Sequence, residues 1–138
     1  MTAFLDTNVA VYAHDHSAGS KRTIARDIIS TKADELVVSS QVLAEFFWVT
    51  TRRLDPPLPV QLANDATAAL AALPVVATDA ALVLAAIVTA DTAGISLWDA
   101  MIVGAARRAG CDEILTEDLN HGQVIDGVQI HNPFVDEQ

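Results

Sequence analysis

Three features predict an α/β fold in which helices cover a central parallel sheet. Short apolar runs at residues 2–5, 36–38 and 113–116 have the length and composition of buried strands. Longer segments between them carry apolar residues at helical spacing. Glycine, proline and small polar clusters mark the boundaries. Strands that alternate with helices imply parallel pairing through helical crossovers.

Taken in order, residues 2–5 form the first strand, and Asp6-Thr7-Asn8 stands at its carboxyl end. Val9 to Ala13 begins a short helix, followed by the polar stretch His14 to Gly19. Lys21 to Thr31 places Ile24, Ile28 and Ile29 on one helical face. Leu36-Val37-Val38 is a second strand, and Ser39 or Ser40 can cap a helix that reaches about Arg53. Asp55-Pro56-Pro57-Leu58-Pro59 is a rigid break. Val60 to Leu73 is an alanine-rich helix stopped by Pro74, and Val75-Val76 is a short strand. Asp79 to Thr92 is a helix closed by Gly94. Ser96 opens another, which ends at Gly110. Glu113 to Thr116 is a strand, Glu117 to Gly122 a turn, and Val128 to Ile130 the last strand. Neither side of the proline break is long enough to stand alone, so residues 1–138 are expected to form one domain.

Composition narrows the function classes. Hydrophobic residues make up 51% of the chain, which argues against disorder. A net charge of −10 argues against a broad basic surface for non-specific nucleic-acid binding. A nuclease whose metal ions offset its carboxylates remains compatible with that charge. Cys111 has no second cysteine to pair with, and the N-terminus has no basic region typical of a signal peptide, so a reducing cytoplasm is expected. The apolar run from Ala80 to Ala90 is too short to span a bilayer, and no membrane is expected.

Four acidic residues stand out by their surroundings. Asp6 and Asp118 each follow a strand, and parallel strands bring such residues to one sheet edge. Asp99 faces Ile102, Val103 and Ala106 along its helix, an apolar side where a lone carboxylate is costly. Ser96 to Asp99 also resembles a capping box, so capping alone would account for that acid. Glu45 falls on the border of its helix's apolar face, where solvent or Arg52 would satisfy it. The basic residues lie between 21 and 53 or at 107 and 108, which leaves Asp6, Asp99 and Asp118 few local partners. Oxygen ligands without a histidine at ligand spacing suit Mg²⁺ or Mn²⁺ rather than Zn²⁺. His14 and His16 read as surface residues, His121 as a loop histidine, and Cys111 as a small residue before a strand.

Phe-Leu-Asp6-Thr-Asn, Ser-Gln-Val-Leu-Ala-Glu45-Phe, Ser-Leu-Trp-Asp99-Ala-Met-Ile and Leu-Thr-Glu-Asp118-Leu-Asn-His-Gly occur in that order along almost the whole chain. In this series the sequence resembles the PIN-domain ribonucleases, particularly the VapC-type toxins of bacterial toxin–antitoxin modules. The resemblance implies a three-layer α/β/α sandwich and Mg²⁺- or Mn²⁺-dependent endoribonuclease activity. It assigns Asp6, Glu45, Asp99 and Asp118 to the acidic metal cluster, with Asp6 and Asp99 as the direct ligands most expected. Thr7, Asn8, Ser96 and Thr116 become supporting groups around it, and Glu117 competes with Asp118 for the inward position. One or two divalent ions would offset the cluster and activate water, giving a 5′-phosphate and a 3′-hydroxyl. Lys21, Arg22, Arg26, Arg52 and Arg53 are candidate phosphate contacts.

The resemblance also implies a cognate antitoxin whose C-terminal segment packs on the toxin, and a homodimer. Phe46, Phe47 and Trp48 are consecutive on one helix, so one face cannot bury all of them. Two other readings remain. A PIN-like module could bind RNA or a partner without cutting, although the acidic set is intact. An aspartate-based phosphotransferase or receiver domain would also place an acid after a strand. Such proteins commonly use a late lysine, and no lysine follows Lys32 here.

Overall fold

A computed structural model describes residues 2–135. Its strands are β1 (Ala3–Leu5), β2 (Leu36–Ser39), β3 (Val75–Val76), β4 (Glu113–Leu115), β5 (Val124–Ile125) and β6 (Val128–His131). The helices are α1 (Thr7–Tyr12), α2 (Ser20–Thr31), α3 (Ser40–Arg52), α4 (Val60–Leu70), α5 (Ala80–Ala93) and α6 (Leu97–Arg108). The strand order across the sheet is β3-β2-β1-β4-β6-β5. Every neighbouring pair is parallel except β5–β6. This is the α/β architecture expected from alternating strands and helices.

The central strands carry apolar side chains on both faces because helices cover both. Phe4, Leu5, Val38, Ile114 and Ile130 are buried. α6 packs on β2, β4 and β6, and α5 packs against α6. α1 packs on α2 and α3, and α3 also meets α4 and β2. Gly104 on α6 lies 3.7 Å from the Leu82 side chain on α5, measured from where a Cβ would sit, so the small residues permit a close α5–α6 contact. Among the described residues, no single helix is long and apolar enough to cross a membrane.

Three boundaries differ from the sequence expectation. The chain forms β5 before the last strand, and an antiparallel hairpin joins β5 to β6 across Asp126 and Gly127. Both turn residues have positive φ, 51° and 83°, as the two-residue turn that suits twisted strands requires. α4 ends at Leu70, three residues before the expected end, and α1 begins at Thr7 because Asp6 caps it. His14 is half-buried rather than a surface residue, with its ring edge-on to Phe46 at 5.4 Å. Cys111 is buried, as expected of a small residue entering a strand.

Gly94 closes α5 in the left-handed region at φ 66°. A Cβ added there would meet nothing within 4 Å among the described residues, so the cost of a side chain is conformational. Gly94→Ala is expected to lose about 1 kcal/mol. Thermal unfolding should register this as a drop of roughly 3–5 °C.

Candidate active site

Strand register brings the first two acids together. Leu5 pairs with Leu115, so Asp6 and Thr116 leave the sheet side by side. The Asp6 N–H still donates to the Leu115 carbonyl at 3.1 Å, extending the ladder by one bond. Both side chains are buried. Thr116 Oγ1 donates to Asp6 Oδ2 at 2.8 Å. It accepts from Asn8 Nδ2 at 3.1 Å and from the Asp118 N–H at 3.1 Å. One hydroxyl therefore uses its donor and both acceptor positions to tie together the ends of β1 and β4.

Asp6 has a second task. Its Oδ1 accepts from the Thr7 N–H at 2.7 Å and caps α1. Two residues on, Asn8 reaches back across the edge. Its Nδ2 donates to Asp118 Oδ2 at 2.9 Å, and its Oδ1 accepts from the Glu117 N–H at 3.3 Å. The loop after β4 is thus held against α1, and Asp118 is held near Asp6.

Glu45 arrives from α3, which packs on α1. Thr7 Oγ1 donates to Glu45 Oε2 at 2.8 Å, and Gln41 Nε2 donates to Glu45 Oε1 at 2.9 Å. The same Gln41 nitrogen lies 3.3 Å from the Trp98 carbonyl and so links α3 to the first turn of α6. Asp99 sits in that turn, and its N–H donates to Ser96 Oγ at 3.0 Å. The capping reading of Asp99 therefore holds, and its carboxyl also lies within the electrostatic reach of Asp118 and Glu45.

The electrostatics follow from this crowding. Burial pushes the Asp6 carboxyl up to about 7, opposed by its hydrogen bonds to Thr116 and Thr7 and reinforced by Asp118 and Glu45. Asp99 is also raised, mainly by burial, with Asp118 and Glu45 adding their charge. Among the described residues, none of the four carboxylates pairs with a lysine or arginine. Nor, among those residues, is any group of three or more His, Cys, Asp or Glu side chains gathered closely enough to hold a metal ion as it stands. Both Asp6 oxygens are turned onto Thr7 and Thr116. The donor chemistry fits a hard divalent cation: all oxygens, on one edge, with local negative charge to offset.

The neighbours sort clearly. Glu117, adjacent in sequence to Asp118, is drawn away by Lys21 at 2.9 Å and by the Tyr12 hydroxyl. Lys21 is thereby committed to a carboxylate. The Arg52 guanidinium lies 4.2 Å over the Trp48 ring rather than on Glu45. Of the three consecutive aromatics, Phe46 is buried and Trp48 is 51% exposed. His121 Nδ1 accepts from the Asn132 N–H at 3.0 Å, which makes it a loop-closing residue. A groove of about 390 Å³ opens beside the acids, lined by Glu45 and Asp118, by Val11, Val49 and Leu54, and by Arg53. Gln41 and Tyr12 were not singled out from the sequence. Gln41 had a signal, its position four residues before Glu45 on a helix. Tyr12 had none, because its partner is 105 residues away.

A search of curated proteins returns no match. Among solved structures, VapC20 from Mycobacterium tuberculosis, described as a sarcin-ricin loop cleaving toxin, superposes with a TM-score of 0.67 at 21% identity, covering 85% of this chain and 90% of that one. VapBC2 from Rickettsia felis, bound to a promoter DNA fragment, gives 0.64 at 17% identity, covering 96% and 98%. DNA-bound VapBC from Salmonella typhimurium gives 0.69 at 18% identity, with the same coverage. At these identities the likeness is one of fold. The family model for the PIN domain matches residues 3–125. That span takes in every element that supplies one of the four acids, and this chain belongs to the PIN-domain family.

Proposed function

We propose that this chain is a divalent-metal-dependent endoribonuclease of the toxin type, restrained by a cognate antitoxin. The observation that carries the reading is the network centred on Thr116, which ties Asp6, Asp118 and Asn8 from two separate elements. It concentrates negative charge, and Asp6 is driven toward protonation near neutral pH.

Asp6, Glu45, Asp99 and Asp118 are the proposed holders of Mg²⁺ or Mn²⁺. When bound there, such an ion would offset the carboxylates, activate water and polarise the scissile phosphate. The chain's own side chains do the positioning. Thr116 and Thr7 aim Asp6 and Glu45, Asn8 aims Asp118, and Gln41 couples Glu45 to the start of α6. Arg53 lines the groove, and in this reading its guanidinium meets the RNA backbone. The apolar wall of Val11, Val49 and Leu54 suits a base or ribose.

The partner reading draws on the structural neighbours, several of which are toxin–antitoxin complexes. Leu84, Ile87 and Val88 on α5 are exposed, a surface that suits an antitoxin segment or a second copy of the chain.

Single-turnover cleavage of total RNA tests the reading. With Mg²⁺ or Mn²⁺ the protein should cleave RNA, and Asp99→Asn should slow it on the order of 100-fold or more. Cleavage that persists in excess EDTA, or that survives the substitution, overturns the metal-nuclease assignment. Binding of RNA without any cleavage would instead favour a non-cleaving PIN module.

A further inference from the structure

A second functional surface gathers where α1 gives way to α2. His14 and His16 lie in that connection, and Arg22 and Arg26 are one turn apart on α2. These four side chains line a groove of about 270 Å³, together with Leu58 and Leu62. A neighbouring cleft of about 350 Å³ shares His14 and Arg26. Among the described residues no acidic side chain lines either one, in a chain with 18 acidic and 8 basic residues. Other cations are committed: Lys21 to Glu117, Arg107 to Asp126 and Arg108 to Asp79. Among the described residues neither Arg22 nor Arg26 forms an ion pair, and Arg22 Nε is buried with no hydrogen-bond partner. A desolvated guanidinium donor left unmet is a place for an acceptor. Burial, then the nearby charges of Arg26 and Arg22, hold the His14 pKa below its usual range.

We propose that this groove is a second anion site, which takes a backbone phosphate of single-stranded RNA outside the cleaved bond. The choice of RNA rests on the nuclease reading above. The six residues of α1 span roughly 9 Å at the helical rise, so a strand crossing the carboxylate edge reaches the groove within a few nucleotides. Leu58 and Leu62 offer an apolar surface for a base beside that phosphate.

The test is fluorescence anisotropy of labelled single-stranded RNAs of 4 and 16 nucleotides, in EDTA so that binding is read without cleavage. Arg22→Gln/Arg26→Gln should weaken the longer RNA roughly 10-fold and lower the slope of log affinity against log salt by about 1. The shorter RNA should be affected less. The lysine pair Arg22→Lys/Arg26→Lys should restore the slope. If the glutamine pair does not fold, phenylglyoxal labelling of the wild type replaces it, with RNA expected to protect Arg22 and Arg26. Unchanged affinity and slope, or no protection, overturns the site. An acidic peptide that binds as tightly as RNA and loses affinity in the same variant also overturns it, in favour of a protein partner. Inorganic phosphate should compete only at far higher concentration than RNA; equal competition would make this a free-phosphate site and overturn the RNA assignment. Arginine-dependent RNA binding without cleavage would keep this inference and sink the nuclease reading, and cleavage with arginine-independent binding would do the reverse.

Discussion

Asp6→Asn is expected to cut RNA cleavage on the order of 100-fold or more, and also to remove a slope in the metal-free protein's stability against pH. Both effects have one source. Burial raises the Asp6 carboxyl to about 7, against about 3.9 in an unfolded chain. Between those values the folded protein holds a proton that the unfolded chain has released. The contribution of this group to stability is therefore greatest below about pH 4, declines as the pH rises toward 7, and is level above that. Across the whole window the change is about 4 kcal/mol, an upper figure. Asp99 is raised too and bends the profile the same way. Asp79 acts in the opposite sense. Arg108 lowers its pKa, so its contribution is present at neutral pH and fades as the pH falls through its lowered value.

Asparagine at position 6 keeps the shape and cannot ionise. It does not recover the full 4 kcal/mol, an estimate from the linkage relation. Its amide nitrogen would face Thr116 Oγ1, which already accepts two hydrogen bonds. Urea unfolding in EDTA from pH 4.5 to 8 should show a falling stability for the wild type and a flatter line for Asp6→Asn. Added Mn²⁺ should raise the wild-type midpoint, by about 2.7 kcal/mol of stability at a hundred times the dissociation constant, and raise the variant's far less. Parallel pH profiles for the two proteins would mean that Asp6 is not the group under strain.

The legible parts of this site are those in which local sequence and tertiary position agree. Asp6 ends an apolar run at the N-terminus, and Asp118 follows another such run, so a parallel sheet alone brings both to one edge. Glu45 was not legible from its own helix, because it falls on the border of the apolar face. Its position is set by Thr7, 38 residues away, and by Gln41. Glu117 and Asp118 were ambiguous because they are adjacent. The structure separates them through Tyr12 and Lys21, which claim Glu117, while Asn8 holds Asp118. The same long-range contacts sort the candidate phosphate-binding cations, since a sequence does not show that Lys21 is already paired or that Arg52 is stacked on Trp48.

What was missed in the fold was short. β5 has two residues, too few for alternation to register, and it exists because the Asp126-Gly127 turn folds it onto β6. That turn pair is readable in the sequence, but no long apolar run precedes it to mark a strand. His14 was misplaced for a related reason. Its polar neighbours suggested solvent, whereas the short α1 delivers the ring onto Phe46.

Thr116→Val should destabilise the protein by about 2–4 kcal/mol and move the acid limb of its cleavage profile to higher pH. Valine matches the shape of threonine, and the position is fully buried, so packing changes little. The hydroxyl is what disappears. The Asp118 N–H loses its acceptor, Asn8 Nδ2 keeps only Asp118 Oδ2, and Asp6 Oδ2 loses its donor. Each buried polar group left unmet costs roughly 1–3 kcal/mol. The Thr116 bond is the largest influence holding the Asp6 pKa down, so its loss drives that carboxyl above about 7. More alkali is then needed to ionise it. Thr116→Ser separates this effect from simple instability. Serine keeps the hydroxyl and removes one methyl, which costs about 1 kcal/mol and should leave the pH profile in place. If the valine and serine variants share one pH profile, the hydroxyl does not organise the acids. If only valine shifts it, the residue that sets the protonation of this site is a threonine that touches no substrate.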